Sequence, residues 1–197
     1  MHKTYSKGLV WLRRDLRLHD NAALATALAQ CEQVLCVFVL DTAILDSLPR
    51  QDRRVEFIRA SLVEVDAGLR QAAGLQEAGL IVRHGLASAE IPALAKTLGV
   101  SAVFAARDYE PQAMARDDAV RQALGAAGTA FVQMKDHVVF EQRELLTQTG
   151  KPYGVFTPYL RAWLAKLGDA PLAEHRLPSP CAQLAVRPAA YAGDVRS

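Results

Sequence analysis

Five short apolar runs, each rich in β-branched or aromatic residues and each followed by a different periodicity, constrain this chain more than any other feature. They lie at Gly8 to Leu12, Val34 to Leu40, Leu80 to His84, Ala102 to Ala106 and Ala130 to Met134. Runs this short and this uniformly apolar suit strands buried on both faces. Between them the spacing turns helical. Val55, Ile58, Leu62, Val65 and Leu69 fall on one face by alternating steps of three and four, with Asp52 placed to cap the helix. Asn21 to Gln30, Ser88 to Leu98 and Gln112 to Ala127 read as the other crossovers, with Ser88 as a cap and Gly99 and Gly128 as stops. A parallel connection needs a crossover, and each helix must bury its apolar stripe. The expected fold is therefore a doubly wound, Rossmann-like α/β domain: a five-stranded parallel sheet of order 3-2-1-4-5 with helices on both faces.

Beyond the fifth strand, Phe140 to Thr147 reads as a further helix. Thr157 to Leu167 reads as a docking helix, with Tyr159, Trp163 and Leu167 at four-residue spacing. From Gly168 the chain turns irregular and proline-bearing, so residues 1–167 are expected to form the domain and residues 168–197 a linker or an extension ordered on docking. With 51% hydrophobic and 22% charged residues, 197 residues can bury one sizeable core. A net charge of +2 does not mark a nucleic-acid or membrane surface. Cys31, Cys36 and Cys181 form no CxxC pair, which fits a reducing compartment, and no run suits a signal peptide or a membrane span. A cytoplasmic location with no membrane partner is expected.

In open parallel sheets, ligands sit beyond the carboxyl ends of the strands where strand order reverses, here between the first and fourth. The loop after the first strand, Arg13 to Asn21, contains no glycine, so neither a dinucleotide fingerprint nor a P-loop can form there. No GxSxG elbow, HExxH pair or paired Cys/His spacing occurs elsewhere, and His84 and His137 read as structural. Trp11, inside the first strand, reads as core. The loop after the fourth strand carries Asp108 and Glu110, two apart in an extended segment and so pointing the same way. They can hold the hydrogen-bond donors of a heterocycle or pair with Arg13, Arg14 or Arg107 as an ion network, and spacing alone leaves both open. Arg13, Arg14, Arg17, Asp15 and Asp20 read as an ion-pair lattice that shapes the first loop.

Three collinear segments, VWLRRDLRLHDN, DYEPQAMARD and GKPYGVFTPYLRAW, resemble the DNA photolyase and cryptochrome family from about Leu9 to Leu167. What they resemble is that family's amino-terminal α/β domain, where an antenna chromophore binds; nothing here resembles its helical domain, which holds FAD and the lesion pocket. The resemblance implies an accessory light-harvesting domain without catalytic residues of its own. Its full-length form would act on damaged DNA through FAD, with the helical domain as partner in cis. The acid-x-acid-proline run of Asp108, Glu110 and Pro111, Arg54 at the start of the long second crossover, and the strand end carrying Val39 and Asp41 resemble members that bind 8-hydroxy-5-deazaflavin. Methenyltetrahydrofolate is the second choice, because Ala113 cannot hydrogen-bond a pterin; an empty pocket or flavin mononucleotide also stays open. Arg54 and Asp41 read equally as a solvated helix start and a strand-end turn residue. The readings kept beside this one are a cryptochrome photoreceptor domain, a stand-alone nucleotide-binding α/β protein and a truncated product that binds nothing.

Overall fold

A computed structural model describes residues 3–49, 51–169 and 174–193 of the chain. The element order is β1 (Tyr5–Leu12), α1 (Ala22–Gln30), β2 (Cys31–Asp41), α2 (Thr42–Leu45), α3 (Arg53–Ala73), β3 (Ile81–Gly85), α4 (Ala87–Leu98), β4 (Ala102–Ala106), α5 (Pro111–Ala126), β5 (Ala130–Met134) and α6 (Phe156–Asp169), closing on a 3-10 turn at Ala189–Tyr191. The strands form one sheet of order β3-β2-β1-β4-β5, every pair parallel, as the alternation of patterns predicts.

The sheet buries two faces because its strands are apolar at consecutive positions. Val10 and Leu12 of β1, Cys36 and Phe38 of β2 and Phe104 of β4 meet α1 and α3, whose Leu24, Leu28, Leu62, Val65 and Leu69 are buried with them. Leu9 and Trp11, Val37 and Val39, and Val103 and Ala105 point the other way, onto Ile91 and Leu94 of α4 and Val120 and Leu124 of α5. Each fully buried leucine or isoleucine contributes about 1.5–3 kcal/mol, so the two clusters hold the layers together. At Gly8 a Cβ would lie 2.5 Å from Cys31 Sγ, so only glycine admits that close approach. Cys31, Cys36 and Cys181 are free thiols in the interior, and burial pushes Cys36 up to about 12.

Two local expectations are corrected. Ser88 is not the cap of α4: the helix starts at Ala87 behind Leu86, and the Asp41 carboxylate of β2 takes the Ala87 amide at 3.4 Å instead. Phe140 to Thr147 is not helical but a run of turns. There the Glu144 carboxylate captures the Glu141 amide at 2.6 Å, and Thr147 Oγ1 accepts from the Lys151 amide at 3.1 Å, so side chains compete for the backbone groups a helix would use. Gly128 stops α5 as expected: it is left-handed with φ of 72° just past the cap Ala127, its amide donates to the Gly125 carbonyl at 3.0 Å and the Thr129 amide to Leu124 at 2.9 Å. α6 forms over the expected docking helix and packs Trp163 edge-on against Phe140 at 5.8 Å. Phe156 and Leu164 of this helix, and Val155 just before it, are exposed.

The irregular extension packs onto the sheet over residues 181–191. Leu184 bridges Val34, the Cys181 amide donates to the Ala72 carbonyl at 2.9 Å, and the Arg187 amide donates to Glu77 at 3.0 Å. Cys181 and Leu184 join the core on the α1 and α3 face. Arg187 Nη1 reaches the Leu80 carbonyl at 2.5 Å and lies 3.6 Å from Asp66.

Candidate functional site

Because β1 and β4 are neighbours, the arginine-rich loop after β1 and the acidic loop after β4 border one edge of the sheet. Arg14 joins them: its Nη2 lies 2.8 Å from Glu110 Oε1 and its Nη1 3.6 Å from Asp108 Oδ1. Both carboxylates therefore point the same way, as their two-residue spacing predicts. Asp108 Oδ1 also accepts from the Tyr109 amide at 2.7 Å and the Glu110 amide at 3.3 Å. Burial works against the charge on Asp108, yet those amides and the Arg14 guanidinium outweigh it and hold the carboxyl below its usual range. Glu110 precedes α5 without capping it, its carboxylate turned to Arg14.

Beneath this rim lies a buried ion lattice. Arg13 Nη1 sits 2.5 Å from Asp117 Oδ1, and its Nη2 donates to the Ala106 carbonyl at the end of β4. Arg116 Nη2 lies 3.3 Å from the same Asp117 oxygen and its Nη1 3.9 Å from Asp41 Oδ2. Gln133 Nε2 of β5 donates to Asp117 Oδ2 at 2.7 Å. Both guanidiniums stand over the Trp11 ring, 4.7 and 5.1 Å from its centroid. Burial pulls the Arg13 pKa down, and Asp117 offsets part of that pull. Asp41 Oδ1 meanwhile accepts from the Ala43 amide at 3.2 Å, so this residue caps α2, supports the start of α4 and faces Arg116.

Asp41 thus faces Arg116 and, through it, Asp117 and Arg13, while Asp108 and Glu110 share Arg14. Val39 lies one turn of pleat back in β2, buried and paired with Arg83 of β3. Arg54 stands apart in the first turn of α3, 70% exposed and held by Asp52, whose Oδ2 is 2.6 Å from its Nη2. Trp11 is core, and the first-loop arginines pair with other elements, Arg13 with Asp117, Arg14 with Glu110 and Arg17 with Asp136, while Asp15 accepts from the Arg13 amide and Asp20 from the His175 amide. On the β5 side, Arg107, Tyr109, Met114, Asp117, Gln133 and Glu141 line a cleft of about 500 Å³. Tyr109 donates its hydroxyl to Glu141 at 2.9 Å; burial and that carboxylate hold its pKa above the usual phenol range. Arg116, Asp117, Gln133 and Asp136 escaped sequence reasoning. The first two lie inside the DYEPQAMARD run, which was the only signal for them.

The rim carboxylates of Asp108 and Glu110 could accept from the ring N–H or hydroxyl groups of a flat heterocycle, while the Arg54 guanidinium is engaged by Asp52. Among the described residues no group of three or more His, Cys, Asp or Glu is placed to hold a metal, and no helix is long and apolar enough to cross a membrane.

An open parallel sheet of order β3-β2-β1-β4-β5 with charged loops at its switch point places the chain among doubly wound α/β domains. The sequence model of the DNA photolyase family matches residues 8–180, and the chain belongs to that family. It is 36% identical over 165 residues to a deoxyribodipyrimidine photo-lyase of Synechococcus sp., covering 84% of this chain and 33% of the relative. It is also 36% identical over 175 residues to that of Halobacterium salinarum, covering 84% and 35%. The chain spans about a third of the length of these curated relatives. Among solved structures, a class III photolyase from Agrobacterium tumefaciens superposes with a TM-score of 0.75 at 28% identity, over 95% of this chain and 36% of that one. An archaeal photolyase from Sulfolobus tokodaii, described with two FAD molecules and the implication of a novel light-harvesting cofactor, gives 0.61 at 31% identity, over 70% and 32%.

Proposed function

We propose that this chain is the light-harvesting domain of a deoxyribodipyrimidine photolyase, with an antenna chromophore at the crevice between the loops after β1 and β4. The observation that carries this reading is Arg14 spanning Asp108 and Glu110 at the edge shared by two adjacent strands. When bound, the pigment absorbs light and passes the energy to a flavin elsewhere in the full-length protein. Asp108 and Glu110 accept hydrogen bonds from the ring, Arg54 supplies a cationic donor, and the strand end at Val39 and Asp41 forms a wall. An 8-hydroxy-5-deazaflavin is preferred to methenyltetrahydrofolate, because Ala113, buried in the first turn of α5, offers a pterin no hydrogen bond. In the whole protein a helical domain in cis holds FAD, whose reduced form repairs pyrimidine dimers flipped out of DNA, so the difficult chemistry belongs to that cofactor. The α/β domain itself is not catalytic.

A second reading, a cryptochrome domain, is supported by a 31% identity over 180 residues to a cryptochrome DASH of Natronomonas pharaonis. Lesion repair by the full-length protein under blue light separates the two. For the domain, the test is expression in a host that makes both pigment types, followed by absorption spectroscopy and mass spectrometry of released pigment. Asp108→Ala combined with Glu110→Ala is expected to lower pigment occupancy about tenfold or more, equivalent to about 1.4 kcal/mol or more of binding, with the melting curve retained. Undiminished retention in the double variant would move the site elsewhere.

A further inference from the structure

In doubly wound sheets the amino end of the helix after β1 is the ready place for a phosphate, because first-turn amides point out along the helix dipole. In this chain the protein's own side chains take that place. α1 carries no acid in its first turn. Asp136, arriving from the loop after β5, sets its Oδ1 3.1 Å from the Ala22 amide and receives Arg17 Nη2 on both oxygens, at 2.9 and 3.0 Å. Its side chain is 1% exposed. Asn21 Oδ1 accepts from the Leu24 amide at 2.8 Å. Asp15, also 1% exposed, accepts from the Arg13 amide at 2.8 Å and from Asn21 Nδ2 at 3.2 Å. An arginine, a first-turn amide and a loop amide thus already serve internal carboxylates in the manner of a bound phosphate.

We infer that Asp136 and Asp15 are built-in anions filling the fold's phosphate position, so that the crevice selects ligands carrying no phosphate there. The inference rests on the antenna reading and narrows it to a heterocycle with an uncharged tail. A phosphate entering this corner would meet two buried carboxylates, and displacing Asp136 would strand it away from Arg17 and the Ala22 amide. Recognition then falls on the ring and its neutral substituents, and a phosphate adds nothing to affinity.

The test uses the 197-residue chain and its Asp136→Ala variant, melted in inorganic phosphate and in sodium chloride of equal ionic strength. The parent's midpoint is expected to rise in phosphate only by the non-saturating increment that this salting-out anion gives any protein. The variant is expected to melt lower in chloride and to recover part of that loss in phosphate, which refills the vacated corner. Riboflavin and flavin mononucleotide are titrated against the parent in parallel, and the phosphorylated ligand is expected to bind no more tightly. A saturable phosphate-dependent rise in the parent's midpoint, a variant whose rise in phosphate is no larger than the parent's, or a preference of about tenfold or more for the mononucleotide would each overturn the inference. Should the variant not fold, the parent's salt comparison and flavin titrations decide alone. If neither flavin nor deazaflavin binds the parent, the antenna reading falls, while the salt comparison still decides whether the corner is self-occupied.

Discussion

Asp117 does more than any other single side chain to hold the crevice in shape. One of its oxygens serves both Arg13 and Arg116, and the other accepts from Gln133, so one carboxylate of α5 ties the end of β1 to β5 and, through Arg116, to Asp41 of β2. Pairing of this kind contributes little net stability against a well-packed apolar alternative, but breaking it leaves a buried cation uncompensated. Asp117→Ala is therefore expected to cost about 3–5 kcal/mol in urea unfolding, because Arg13 beneath the rim loses its counter-charge. Asp117→Asn keeps an acceptor for Arg13 but removes the same counter-charge, and is expected to cost nearly as much. Equal losses for the two would show that charge, not hydrogen bonding, is what matters there.

Among elements, the extension at residues 181–191 is tied to the sheet by contacts that composition does not announce. Its prolines and weak periodicity read as a linker or an extension ordered on docking, and Leu184 is buried beside Val34, Leu69 and Leu80. Leu184→Ala is expected to destabilise the chain by about 2–5 kcal/mol, the range for a core cavity; an unchanged denaturation midpoint would make the extension dispensable. At the other end of the same layer, α3 starts on Asp52, which the Arg54 side chain and amide hold down to about 2. A depressed carboxylate contributes stability that is present above its unfolded value near 4 and fades as pH falls through its folded one. The first turn of α3 is thus expected to persist at pH 4 and to fray toward about pH 2, seen in the Arg54 and Val55 amide resonances. The five strands and four crossovers were legible because buried parallel strands and amphipathic helices each impose a period on their own sequence. The Ser88 cap and the helix over 140–147 were misread because their outcome depends on partners distant in the chain: Asp41 for the first, and for the second the Arg107 and Tyr109 contacts that draw Glu141 away. Asp108 and Glu110 could be singled out from spacing and position. Arg116 and Asp136 could not, since their roles exist only once α5 and the β5 loop return to the edge of β1.

For the molecule as a whole, one edge of the sheet gathers side chains from the loops after β1, β2, β4 and β5 into a connected set. Native-state hydrogen exchange should report this directly. The Arg13, Ala22 and Leu24 amides, each bound to a side-chain oxygen, are expected to exchange slowly without any pigment, at rates close to those of β1 itself. Fast exchange there, slowed only on adding a chromophore, would mean that the ligand organises the edge. With the lattice formed in advance, a pigment that docks has little protein to freeze, so its association should show a small entropic penalty and a rigid seat. For a dye whose excitation must reach a distant acceptor, a seat that does not wobble keeps the transition dipole at a constant angle, and the Asp117 scaffold is what would set that angle.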